Sequence, residues 1–246
     1  MDRMIYVAMA GAQQTMLAQA ANSQSLANAN TTGFRAELTA FRSQPVFGPG
    51  YPSRVYAMAE SPGIDFVPGT IETTGRPLDV ALSGAGWMAV QAPDGSEAYT
   101  RAGDLHISTN GILETSTGRP VLGDGGPIAI PPHQKLTIGS DGTVSIVPLG
   151  QLPNTLAVVD RIKLVNPPLA DLTRGPDGLF VSRDGKPAPA DASLRLVSGA
   201  LESSNVNPVD SMVRMIELAR SFDMQIKVMQ AARRNDAATA QLMRIQ

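Results

Sequence analysis

"SLANANTTGF", residues 25–34, is where the chain changes character. The stretch enters as Ala- and Gln-rich sequence, passes through polar turn residues, and leaves through Gly33 and Phe34. Before it, Ile5, Met9, Ala12, Met16, Ser23 and Leu26 fall on one stripe spaced by threes and fours, the period of a helix face. No Pro and no β-branched run interrupts residues 4–29. Asn28, Asn30 and Gly33 are residue types that close a helix C-terminus. A helix is therefore expected up to this point, and a different structure after it.

After it, the punctuation becomes dense. All 19 prolines and 23 glycines lie between residues 45 and 201, except Pro208, Gly11 and Gly33. Short β-like runs such as "LDVAL", "GWMAVQ", "KLTIG" and "TVSIV" are separated by Asp94-Gly95, Asn110-Gly111, Asp124-Gly125, Asp141-Gly142, Asp177-Gly178 and Asp184-Gly185. Such dipeptides suit tight hairpin turns. An antiparallel, all-β middle follows, with no internal repeat period.

From Asn207 the helical period returns. Asn207 suits an N-cap, Pro208 the first helical position and Asp210 the first turn. Met212, Met215, Ala219, Phe222, Ile226, Met229, Arg233, Asp236, Ala240 and Met243 then keep a 3–4 spacing to the chain end, a heptad seam. Ile216 adds apolar surface beside it. A helix of about 36 residues is roughly 54 Å long, longer than a small β domain is wide. The two terminal helices are therefore expected to pack on each other. Their seams carry Ala, Met, Ser and one Arg rather than Leu and Ile. The pair is expected to be loose in the single molecule and to order when copies pack side by side. The fold class that results is α+β: long terminal helices packed together in coiled-coil fashion, plus a hairpin-rich β middle. The expected divisions are 1–33 for the first helix, 34–76 for a connection, 77–202 for the β-rich domain and 203–246 for the last helix.

Composition removes several function classes. A net charge of -2 offers no excess to neutralise phosphates, so nucleic acid is not an expected partner. The absence of cysteine removes disulfides, thiolate metal sites and Cys nucleophiles. His106 and His133 stand alone, and no metal, cofactor or catalytic set is expected; the chain is read as a non-enzyme. "GAGWMA" (residues 84–89) fits a dinucleotide fingerprint, but a strand and turn follow where a helix is needed. Trp87 reads as a β-core residue instead. Asn30-Thr31-Thr32 fits a glycosylation sequon and reads as turn chemistry. The first residues lack the positive start of a signal peptide, and no apolar run reaches the roughly 20 residues of a membrane span.

Leu26, Ala27, Asn28, Thr31, Gly33 and Phe34 match a pattern, Asn-Leu-Ala-Asn-x-x-Thr-x-Gly-Phe, that resembles the N-terminal signature of bacterial flagellar rod, hook and hook-associated axial proteins. Ser25 stands where that pattern has Asn. "PGTIETTGRPLDVALSGAGWMAVQ", "YTRAGDL", "NGILET" and "GRPVLGDGGPIAIP" follow in the family's order. "GALESSNVNPVDSMVRMIELARSFDMQIKVMQ", residues 199–230, resembles its C-terminal signature, with Asn205, Val206 and Asn207 at the entry to the last helix. Phe222-Asp223 replaces the family's Tyr-Glu. The opening "MDRMIYVAMAGAQQ" is most similar to the proximal-rod branch, and the segment between Arg42 and Tyr56 is shorter than in distal-rod members.

The resemblance implies a structural subunit that leaves the cell through the flagellar type III export apparatus without a cleaved signal. It would assemble in the periplasmic rod of the basal body with copies of itself and other rod subunits, and could meet the surrounding ring proteins. Both termini would line the inner core of a torque-transmitting tube. Two other readings stay open here. One is a distal-rod or hook-type member of the same family. The other is a secreted β-domain module binding glycan or peptidoglycan on a helical stalk.

Overall fold

Helix α1 (Met4–Ala27) forms where Ala and Gln dominate and Pro is absent. It ends at the polar turn beginning with Asn28. There the Asn28 backbone N–H reaches the Gln24 and Ser25 carbonyls, and its side-chain amide donates to Gln24 O at 2.9 Å. Helix α2 (Pro208–Arg244) starts as its sequence suggests: Asn207 Oδ1 accepts the Val209 N–H at 3.0 Å and the Asp210 N–H at 3.4 Å. A computed structural model describes residues 4–45, 47, 55–151 and 155–244. Asp2, Arg3 and the centre of the segment between Arg42 and Tyr56 lie outside these residues.

The chain divides into two compact bodies. The first comprises Met1–Ala29, Arg35–Asp65 and Val206–Gln246. It contains α1, α2 and an antiparallel hairpin of β1 (Glu37–Pro45) and β2 (Val55–Ile64). The hairpin lies against α1, where Ala59 N–H donates to Gln14 Oε1 at 3.0 Å. Arg42 and Glu60 pair across its strands at 2.7 Å. Both are solvated, so the pair adds little.

The second body comprises Asn30–Phe34 and Phe66–Asn205, and every strand ladder described in it is antiparallel. Its largest sheet runs Leu164–Val165, Trp87–Gln91, Glu97–Thr100, Phe180–Ser182, Leu172–Arg174 in spatial order. A second sheet joins His133–Ile138, Thr143–Pro148 and Ala157–Arg161. Met88 and Val90 from the first sheet share one core with Leu136, Val144 and Ile146 from the second. Full burial of such side chains stabilises by about 1.5–3 kcal/mol each. The Asp-Gly dipeptides make the corners. At Asp141-Gly142, Gly142 holds φ +87°, while Asp141 accepts the Thr143 N–H at 3.1 Å and its hydroxyl at 2.6 Å.

The α+β expectation needs correction. Among the described residues there are two α-helices, one near each end, against eighteen short strands. An α+β fold layers helices over a sheet. Here the β core is built from strand and loop residues alone, and the helices bury surface on each other and, for α1, on the β1–β2 hairpin. The chain is a β-rich body in sequence between two end helices, and the coiled-coil element is confined to that pair.

Candidate assembly surface

Helices α1 and α2 run antiparallel. Asn22 Nδ2 donates to Ser211 O at 2.8 Å, and Gly11 faces Gln225. On α1 the buried positions are Ala8, Gly11, Ala12, Thr15, Ala18, Asn22 and Ser25. On α2 the covered series is Ser211, Met215, Leu218, Phe222, Gln225, Met229 and Ala232. Apart from Ala12, both series step by threes and fours, so they form a continuous antiparallel seam. The α1 half of that seam is made of small residues. A Cβ on Gly11 would come within 2.9 Å of Gln225 Nε2, which indicates close approach of the two helices.

The large apolar side chains are elsewhere. Tyr6, Met9, Met16 and Leu17 on α1, and Val209, Met212, Val213, Ile216 and Met224 on α2, are each more than half exposed. With about 100° of turn per residue, these positions lie mainly on the sides opposite the seam. Helix α1 is thus apolar on two sides; α2 is so over its first turns, to Ile216, and beyond them Arg220, Asp223, Lys227 and Arg234 share its outward side with Met224. Of the residues read from sequence, Ala12 is buried in the seam. Met215, Phe222 and Met229 are half-buried in it, and Ile5, Leu26 and Ile226 are half-buried beside it. Met9, Met16, Met212, Ile216, Ala219 and Met243 are exposed. The seam runs one residue ahead of the stripe read on α1. Arg233 is exposed, next to the seam residue Ala232.

The turn after α1 is held differently. Gly33 has φ +67°, and an added Cβ would overlap the Arg101 backbone. Its N–H donates to Glu202 O at 2.8 Å. The Glu202 carboxylate is 1% exposed and pairs with Arg101, 5% exposed, at 2.8 Å. Glu202 also accepts the Gly69 N–H at 3.1 Å, and Arg101 donates to Gly84 O at 2.7 Å. Arg101 lies 5.5 Å from the Trp87 ring centre, and Trp87 meets Phe66 and Phe180. Arg174 sits over both Phe34, at 4.8 Å, and Phe180, at 5.2 Å. Asn205 completes the junction, its N–H donating to Phe34 O at 3.3 Å and its side chain to Val67 O at 3.1 Å. Gly33 and Phe34 therefore anchor residues 30–34 into the β body. Arg101 and Glu202 were not singled out from the sequence. Their only signal was a lone charge inside "AYTRAG" and "GALESS".

Comparison with known proteins is decisive. Over 249 aligned residues, covering 99% of both chains, the sequence is 45% identical to the flagellar basal-body rod protein FlgF of Salmonella typhimurium. It is 46% identical to FlgF of Escherichia coli K12, again over 99% of both. The chain belongs to the FlgF family of flagellar basal-body rod proteins. A FlgG rod protein of Buchnera aphidicola is 33% identical, but over 65% of this chain and 62% of its own. Residues 197–242 match the family described as flagellar basal body rod FlgEFG protein C-terminal. Residues 81–146 match the flagellar hook protein FlgE/F/G D1 domain. In this FlgF-family chain the first match covers most of α2 and the second covers the heart of the β body. The FlgF relatives are structural rod proteins.

Proposed function

We propose that this chain is a structural subunit of the flagellar basal-body rod, in its proximal part, and that it polymerises through the outward sides of α1 and α2. The observation that carries the reading is the two-sided apolar character of α1 and of the first turns of α2, from Val209 to Ile216. A helix apolar on two sides is stable only when both are covered. The seam covers one side of each, and neighbouring copies or other rod subunits cover the other. The full-length match to FlgF proteins, compared with the partial match to FlgG, supports the proximal branch. The subunit's work is mechanical. Side chains packed at crystal-like density resist bending and twisting, so a shaft built from such contacts transmits torque. Export through the flagellar type III apparatus precedes assembly, and the rings around the rod are its outer neighbours.

The test uses the double variant Met9→Asp/Ile216→Asp. Both positions are more than half exposed, so the isolated subunit should keep its fold and melting temperature. Cells carrying this variant as their only copy should lack rotating flagella. Normal motility would sink the proposal.

A further inference from the structure

The chain has eleven methionines and no cysteine, so every thiol or thioether sulfur it offers to an oxidant is a Met. Their placement is uneven. Met4, Met9 and Met16 lie on α1, and Met212, Met215, Met224, Met229 and Met243 lie on α2. Met9, Met16, Met212, Met224 and Met243 are more than half exposed. Met88, in the β core, is fully buried.

From this placement we infer that the outward methionines, Met9, Met16, Met212, Met224 and Met243, are a sulfoxidation site for peroxide-class oxidants on the unassembled subunit. The thioether lone pair attacks one peroxide oxygen. The O–O bond breaks, an S–O bond forms, and water leaves as peroxide is reduced and sulfur is oxidised by two electrons. The product is polar and chiral where a flexible apolar side chain stood. Resting on the polymerisation reading above, this change blocks assembly, and burial within a finished rod shields the same atoms. The site therefore makes the subunit's competence depend on its oxidation state before incorporation.

The experiment treats the purified full chain with limiting hydrogen peroxide and maps sulfoxides by mass spectrometry over time. Met9, Met16 and Met212 should convert well before Met88. Equal rates would overturn the site itself. In a second arm, cells lacking the native copy induce either this chain or the variant in which Met9, Met16, Met212, Met224 and Met243 are all replaced by Leu, under sublethal peroxide. The parent chain should lose motile cells and the Leu variant should not. Equal loss in both would overturn the link to assembly. Methionine sulfoxide reductase added to treated protein should restore the unmodified mass at these positions. Motile cells from Met9→Asp/Ile216→Asp without oxidant would instead strike the polymerisation reading and leave the mapping result standing.

Discussion

Single residues set the junction and the corners. Arg101 and Glu202 are both nearly inaccessible and bonded to each other. Removing one partner of such a pair leaves a buried charge uncompensated, at about 3–5 kcal/mol. Arg101→Met should therefore lower the stability of the β body by about that amount in a urea melt of the full chain; a loss below about 1 kcal/mol would mean the pair is solvated in solution. Three turns give a pH signature. Asp94, Asp141 and Asp191 are held below the usual carboxylate range. The cause is first the hydroxyl of Ser96, Thr143 or Ser193, then the backbone N–H of the same residue. Since the folded values lie below the ordinary Asp value of about 3.9, each turn's contribution is fully present above that pH. It is lost as pH falls through the lowered folded value. Urea midpoints measured from pH 6 to pH 2 should fall only in the acid limb, and Asp141→Asn should shrink that fall. The corners were legible in sequence because an Asp-Gly turn is set by residues one or two apart. The ion pair was not, because its members are 101 positions apart.

At the scale of elements, the helices were legible as helices, down to the Asn207 cap. Which side faces inward was not. The sequence reading followed the largest apolar residues, and on α1 those point away from the seam. Small residues such as Ala8, Gly11 and Ala18 carry little hydrophobic weight, yet they permit the close approach that decides the packing. Periodicity cannot separate two apolar stripes on one helix. The hairpin β1–β2 was also missed, because Pro45 and Pro62-Gly63 inside "ELTAFRSQP" and "VYAMAESPGI" read as breakers and β1 is largely exposed, so it shows no buried alternation. Helix α2 has 37 residues against 24 in α1, and residues 233–241 are exposed throughout. Deleting residues 233–246 removes nothing from the described seam. The truncated subunit should keep the helical signal of residues 208–232 in circular dichroism but fail to enter rods, as read by motility. Swimming at the parental level would show that this overhang is dispensable.

Across the whole molecule, stability should be uneven. Met88, Val90 and Leu105 are fully buried in a shared core. The helix seam, by contrast, is narrow, and its α1 half is built largely from Ala, Gly and Ser. Amide exchange on the dilute subunit should show strong protection in the core strands and fast exchange in both terminal helices, with protection at the ends appearing on assembly. Equal protection in the dilute state would mean the helix pair is complete by itself. The all-β middle could be inferred from the sequence because its turn chemistry is local. The overall class was misjudged because the sequence reading gave two long helices the weight of a layer. The hydrogen bonds of Asn205 to Phe34 and Val67 have one more consequence. Within the β body the two ends of the segment 66–205 are tied together: the Asn205 side chain reaches Val67 O, and its N–H reaches Phe34 O of the short 30–34 strip. Whatever is strung between such posts can grow, shrink or be exchanged like a cartridge, provided the posts keep their spacing.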